Sequence, residues 1–356
     1  MEYLVIGGGI NGLLTAYYLN QAGKPVCLLE RGLVGRESSW AGGGILSPLY
    51  PWRYPQAVTQ LVQWSQIEFP QLVQTLKDHT QLDAELLPSG MLILNEADMQ
   101  AALQWGISTH TPLSAVDAEQ ISALEPALAN VPPQALWMPN VCQVRNPRLV
   151  KALREYLLKN GVLIQENTEV TAILHDQGRV TGVQTEQTEF HSEQVAITCG
   201  AWSSGLWPST AESLPVKPIR GQMLMINARP GLIQRVVLKD NHYVIPRQDG
   251  RTLVGSTLED VGFDKTTTQY AHDLLLEFAY ELMPALRDFI VERHWAGLRP
   301  GTPDNIPRIM QHPQIKGLFI NAGHFRNGVV TAPASAKLLV NLMLKEHPIL
   351  DASAYC

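Results

Sequence analysis

The sequence predicts an α/β protein of two interleaved domains, one built on a doubly wound mixed sheet and the other on an antiparallel β-sheet. Three observations predict it. Residues 1–30 read strand, glycine-rich turn, helix, strand. Residues 216–299 are dominated by short apolar runs separated by turn residues, the texture of an antiparallel sheet. Residues 318–344 then repeat the strand–glycine–helix order of the start, so the chain returns to its first domain.

Residues 3–6 are an apolar run suited to a buried parallel strand. Gly7, Gly9 and Gly12 follow in G-x-G-x-x-G spacing, residues 13–19 are helical, and Gly23 ends the helix. A second apolar run, residues 26–29, delivers Glu30. Strand, turn, helix, strand and acidic residue together form a dinucleotide fingerprint. Gly7 makes the tight turn, Gly9 admits a pyrophosphate, and Gly12 lets helix pack on strand. The helix N-terminus offers unpaired N–H groups to phosphate, and Glu30 accepts hydrogen bonds from a ribose.

Ser38, Ser39 and residues 41–44 are too poor in side chains for a core and are expected to lie against the cofactor, with Trp40 between them and Ile45 and Leu46 facing its reactive end. Residues 60–76 read as a helix kinked at Pro70, residues 86–94 as a short strand pair, and residues 116–124 as a helix. The prolines at 126, 132, 133 and 139 mark a domain crossing. Asn146 is read as the N-cap and Pro147 as N1 of a clear amphipathic helix that Gly161 stops. Strands follow at 162–164, 169–174 and 180–185, the last two joined by a hairpin at Asp176-Gln177-Gly178. Residues 194–198 form another strand, ending in Cys199-Gly200-Ala201-Trp202, and residues 208–218 are a second crossing. Strands are expected at 222–226, 236–238, 243–245 and 253–256, a helix at 269–283 stopped by Pro284, and a strand at 290–298 carrying Arg299 at its end. Finally Leu318–Ala322 leads through GHFRNGVVTAP into a helix reaching Leu344, with Gly323 and Gly328 in the turn. A helix terminus there would stabilise an electron-rich group. A reduced flavin needs this, being anionic, whereas nicotinamide loses positive charge on reduction, so the cofactor reads as FAD.

Composition bounds the function. A chain of 356 residues, 45% hydrophobic, can bury two cores. A net charge of −6 without a basic tract argues against nucleic-acid or anionic-membrane binding. The apolar stretch at 3–19 lacks a basic flank and holds the motif glycines, so it is not read as a signal sequence, and no window reaches transmembrane length. Cys27, Cys142, Cys199 and Cys356 are isolated, which argues against a disulfide framework or a metal site and fits a reducing cytoplasm.

The N-terminal GGGING with Glu30-Arg31, the SSWAGGGILSP run, Cys199-Gly200-Ala201-Trp202, GLRPGTPDNIP and GHFRNGVVTAP, in this order, resemble the D-amino-acid-oxidase-like flavoproteins. The resemblance spans nearly the whole chain. It implies a Rossmann-like FAD-binding domain (1–80, 140–215 and 300–356) interleaved with a substrate-binding domain (81–139 and 216–299). It implies non-covalent FAD, contacted by Gly7, Gly9, Ile10, Asn11, Gly12, Glu30, Arg31, Ser38, Ser39, Ala41, Gly42, Gly43, Gly44 and Leu46. Val170, Gly200, Trp202, Arg299, His324, Arg326, Asn327, Gly328 and Val329 complete that set. His324 is expected to reach the flavin through its backbone.

The implied chemistry moves a hydride from an amino-acid Cα to flavin N5, with O₂ as final acceptor. The substrate carboxylate needs a cation, and Arg299 matches the family's carboxylate-binding arginine, with Arg326 as runner-up and Tyr243 as the supporting hydroxyl. Leu46 and Leu258 are expected to wall the pocket. His242, His294 and His324 qualify as bases by residue type alone, and none is required if the amine binds deprotonated. Asp304 reads as a turn residue. Glycine, sarcosine or a small D-amino acid is the expected substrate, in a homo-oligomer, tetramer or dimer. A dehydrogenase using a non-oxygen acceptor, an NAD(P) enzyme and a non-enzymatic flavin-binding subunit are the competing readings.

Overall fold

The computed structural model describes residues 2–94, 97–208 and 213–356. Tyr3–Ile6 lies inside a six-stranded sheet ordered Arg308–Gln311, Leu318–Ala322, Gln194–Ile197, Tyr3–Ile6, Val26–Leu29, Leu163–Gln165. Its pairs are parallel except that of Arg308–Gln311 with Leu318–Ala322. Helices Ile10–Gln21, Gln56–Thr80, Asn146–Lys159 and Ala332–Leu344 share one core with Tyr3, Val5 and Leu28. Leu4, Ile6 and Leu29 face the other way, toward a three-stranded antiparallel sheet at Val170–Asp176, Arg179–Thr185 and Glu189–His191. Both faces are covered, which is why these strands are continuously apolar.

The second sheet has eight strands, ordered Val291–Gly301, Lys217–Asn227, Arg251–Gly255, His242–Pro246, Val236–Lys239, Met91–Leu94, Gln134–Met138, Ser114–Asp117. It alternates cleanly. Val244, Val254 and Leu224 pack under helix Gln269–Leu282, while Tyr243, Ile245 and Met223 occupy the opposite face. The expected antiparallel order is broken once, where Val236–Lys239 runs parallel to Met91–Leu94.

Local differences from expectation have local causes. Residues 86–94 are no hairpin: Leu87 bridges Gln143 while Met91–Leu94 joins the large sheet. The run at 116–124 splits into strand Ser114–Asp117 and helix Ala118–Leu124, because Asp117 and Gln120 form a capping box. The proline-dense crossing contains strand Gln134–Met138, and helix Met99–Ser108 was not anticipated. Asn146 is the first helical residue, with Arg145 at the N-cap, and its amide donates to Gly42 O at 3.0 Å. Helix Gln56–Thr80 passes through Pro70 as one element. Arg299 lies inside strand Val291–Gly301, and the helix after GHFRNG begins only at Ala332. The second crossing falls partly outside the described residues. No helix among the described residues is long and apolar enough to cross a membrane.

Gly12 sits so close to the preceding turn that a Cβ would collide with Gly7 O and stand 2.6 Å from Thr198 Oγ1. Gly12→Ala is therefore expected to cost about 1–3 kcal/mol as an overpacking change. Gly205→Ala, where a Cβ meets nothing within 4 Å, is expected to stay within about 0.5 kcal/mol. Thermal unfolding of both variants checks this, and equal melting shifts would contradict it.

Candidate active site

The strand Tyr3–Ile6 ends at Gly7, whose φ of +106° only glycine adopts readily, and the turn drives helix Ile10–Gln21 N-terminus first toward a cavity of about 450 Å³. The first turn of that helix needs acceptors. Ile10 N–H finds Ser39 Oγ at 2.8 Å, whereas Asn11 N–H and Gly12 N–H have none among the described residues. Glu30 closes the floor, one carboxylate oxygen accepting from Gly8 N–H at 2.7 Å and the other from Gly32 N–H at 2.9 Å. Glu30 lines the cavity, and its carboxylate keeps acceptor capacity beyond these two bonds.

Gly7, Gly9, Ile10, Asn11, Glu30 and Arg31 line this cavity, as do Ser38, Ser39, Gly42 and Val170. Gly200, Trp202, Arg299, His324, Arg326, Gly328 and Val329 line its remaining wall. Trp202 is contacted by the Arg31 guanidinium, 3.9 Å from its ring centre, and by Phe263, stacked at 5.5 Å. Lys265 reaches from the same loop as Phe263 to pair with Glu37 at 2.9 Å. Nothing in the spacing of residues 257–268 signals this long-range contact.

A second, smaller cavity opens between the residue 41–44 turn and the eight-stranded sheet. Ala41, Gly42, Gly43, Gly44, Tyr243, Arg299, Arg326 and Asn327 all contribute to it. Three glycines that sequence reasoning missed shape this space. A Cβ on Gly221 would occupy the position of the Arg299 guanidinium, one on Gly255 would lie 2.9 Å from Tyr243 Oη, and one on Gly297 would press on Ala41.

Arg299 lines both cavities and is half-buried, its exposed part facing them. Among the described residues its guanidinium donates only to neutral acceptors: Ser256 Oγ at 2.8 Å, Thr257 O at 3.2 Å and Arg220 O at 3.4 Å. Desolvation pushes its pKa down, and the Tyr243 hydroxyl beside it opposes that shift. No carboxylate among the described residues neutralises it. Arg326 likewise has no side-chain partner among the described residues. His324 is held by side chains, Nε2 at 2.7 Å from Asn321 Oδ1 and Nδ1 at 2.9 Å from Thr331 Oγ1, and burial pushes its pKa down to about 3. It is neutral at pH 7, so it carries no charge to a ligand.

Two expectations are corrected here. Leu46 is buried in the helical core and lines neither cavity, because Leu46 N–H donates to Cys142 O and the extended chain alternates, giving Ile45 and Ser47 to the cavity instead. Leu258 is 56% exposed and lines neither cavity, because it lies on the loop outside strand Arg251–Gly255. Trp40 packs edge-on against Trp295 at 5.7 Å and is likewise outside both linings. His242 and His294 also line neither cavity, and Asp304 pairs with Arg308 at 2.9 Å.

FAD fits this arrangement. Open helix N–H groups and a carboxylate suit a pyrophosphate and a ribose, and the glycine-lined second cavity continues from the far end of the first. The family model for FAD dependent oxidoreductases matches residues 2–342. A glycine oxidase of Pseudomonas aeruginosa is 47% identical over 353 residues, covering 99% of this chain and 97% of its own length. A bifunctional ThiO/ThiG protein of Synechocystis is 34% identical over 99% of this chain, which spans 53% of that protein. The crystal structure of glycine oxidase from Bacillus cereus superposes with a TM-score of 0.92 at 28% identity, covering 99% of this chain and 97% of that one. A family match over nearly the whole chain, a relative at 47% identity and a cradle suited to FAD converge: the chain belongs to the DAO family of FAD-dependent oxidoreductases.

Proposed function

We propose that this protein oxidises glycine, and also sarcosine and small D-amino acids, to the imine, with O₂ as electron acceptor and hydrogen peroxide as product. The observation that carries this reading is the Arg299 guanidinium, bonded among the described residues only to neutral acceptors, in a glycine-walled cavity beside the FAD cavity. A cation held without a counter-ion is stabilised by an incoming carboxylate, and a guanidinium binds one through two parallel hydrogen bonds. The glycine oxidase relatives support glycine as the amino acid.

Arg299 and Tyr243 hold the carboxylate in a cavity of about 90 Å³, a size that suits a small amino acid. Arg326 adds a positive charge that disfavours the ammonium form, so the amine loses its proton without a dedicated base. The substrate's C–N single bond becomes C=N as Cα gives up a hydrogen with two electrons. Bound FAD supplies the acceptor for that pair, which O₂ then removes as hydrogen peroxide. For glycine, water converts the released imine to glyoxylate and ammonia. We place the imine as a supply for the thiazole of thiamine, a reading supported by the relative that carries ThiO and ThiG in one chain. In this reading residues 1–80, 140–215 and 300–356 bind FAD, and residues 81–139 and 216–299 bind substrate.

Anaerobic glycine, sarcosine or D-alanine is expected to bleach the flavin absorbance, and readmitted O₂ to give one peroxide per flavin. Bleaching without peroxide would move the reading to a dehydrogenase with another acceptor, and no bleaching by any of the three would overturn it. Arg299→Ala is expected to raise the apparent substrate constant about a hundredfold, from roughly 3 kcal/mol of charged hydrogen bonding, while FAD stays bound. Gly221→Ala, which displaces the guanidinium, is expected to act in the same direction. Steady-state kinetics against glycine, with flavin content measured in parallel, checks both.

A further inference from the structure

The turn at residues 42–44 is held from behind by three separate donors. Asn146 Nδ2 donates to Gly42 O at 3.0 Å, Arg247 Nη2 donates to Gly43 O at 2.8 Å, and Val144 N–H donates to Gly44 O at 2.9 Å. In a trans peptide the C=O of one residue and the N–H of the next point in opposite directions. Fixing Gly42 O on Asn146 therefore turns Gly43 N–H the other way, and fixing Gly43 O on Arg247 turns Gly44 N–H the other way. Both glycines line the smaller cavity, and neither N–H has an acceptor among the described residues. Two successive unpaired donors result, on the wall the flavin must meet.

Arg247 is unusual for a structural arginine. It is 6% exposed, and its fork is spent on the uncharged acceptors Gly43 O, Gln143 Oε1 at 2.6 Å and Val144 O at 3.0 Å. The nearby carboxylates of Glu85 and Asp249 are engaged by Arg145, at 3.3 and 2.8 Å. Burial pushes the Arg247 pKa down to about 10, which leaves the cation intact at neutral pH. A charged donor on Gly43 O polarises that peptide and strengthens the opposite N–H as a donor.

We infer that Arg247 and Asn146 are positioning residues that aim the Gly43 and Gly44 N–H groups at the flavin ring and so favour its reduced, electron-rich form. This rests on FAD occupancy and not on the identity of the amino-acid substrate. The test uses the holoenzyme and no amino acid: the reduction potential of bound FAD in Arg247→Met and Asn146→Ala, by slow enzymatic reduction against a reference dye. Arg247→Met is expected to weaken the preference for reduced over oxidised cofactor at least tenfold, about 30 mV for two electrons. The visible flavin band is expected to shift with it. Asn146→Ala is expected to move the potential in the same direction by less. Arg247→Lys, which keeps the charge and loses the fork, is expected to fall between Arg247→Met and wild type. An unchanged potential in Arg247→Met, whatever its melting temperature, overturns the inference. If Arg247→Met does not hold FAD, an unchanged potential in Asn146→Ala overturns it instead.

Discussion

The architecture depends on one close approach, that of the Gly12 backbone to the carbonyl of Gly7. It fixes where helix Ile10–Gln21 starts relative to the strand beneath it, and therefore where the helix's unpaired N–H groups point. Thr198 locks the same corner from the neighbouring strand, its hydroxyl donating to Ile6 O at 2.7 Å. Glu30 then ties the turn to the end of the second strand through Gly8 and Gly32. Each contact is a backbone group satisfied by a neighbour, so the anion-binding surface is what remains once the fold's own hydrogen bonds are made. The cradle is a by-product of packing.

The reactive end is built by a different logic, because no single element supplies it. The residue 41–44 turn follows strand Val26–Leu29 of the first sheet, while Tyr243 and Arg299 come from the eight-stranded sheet and Arg247 from the turn just after strand His242–Pro246. Arg247 reaches back to Gly43, Trp295 Nε1 donates to Ala41 O at 3.0 Å, and Ser38 Oγ donates to Leu298 O. These contacts are side chain to backbone. They tolerate no variation in where the turn runs, whereas side chain to side chain contacts could repack. Glycines at 221, 255 and 297 take part by omission, leaving room for a guanidinium, a phenol ring and a methyl group.

What was legible in the sequence follows from this division. The first strand, the fingerprint glycines, Glu30 and the strand Leu318–Ala322 were readable because local periodicity and local turn chemistry determine them. The assignment of Leu46 failed because which residue of an extended pair faces a cavity is set by register, here by Leu46 N–H on Cys142 O, and register is not a local property. Leu258 failed for the related reason that its loop's path is set by distant anchors, Arg220 to Glu259 at 2.6 Å and Lys265 to Glu37. Strand Gln134–Met138 was hidden by the prolines on either side of it, although none falls within it. Arg247 carried no motif at all. Only its acceptors identify it.

The contrast between Arg220 and Arg299 shows why composition could not separate a paired buried charge from an unpaired one. The two sit on adjacent strands, in the pairs Arg220 to Leu298 and Ile219 to Arg299. Arg220 is 4% exposed and is clasped by Glu259 and Asp264, both at 2.6 Å. Those partners repay its desolvation within the fold, so it has no electrostatic reason to attract a ligand. Arg299, inside strand Val291–Gly301, meets only a hydroxyl and two carbonyls among the described residues. Dipoles lower the cost of burying a charge without cancelling the charge. The residual field at Arg299 is therefore left uncancelled, because Glu259 and Asp264 are already committed to Arg220. The acid residues that leave the site positive are as much a part of it as the arginine itself.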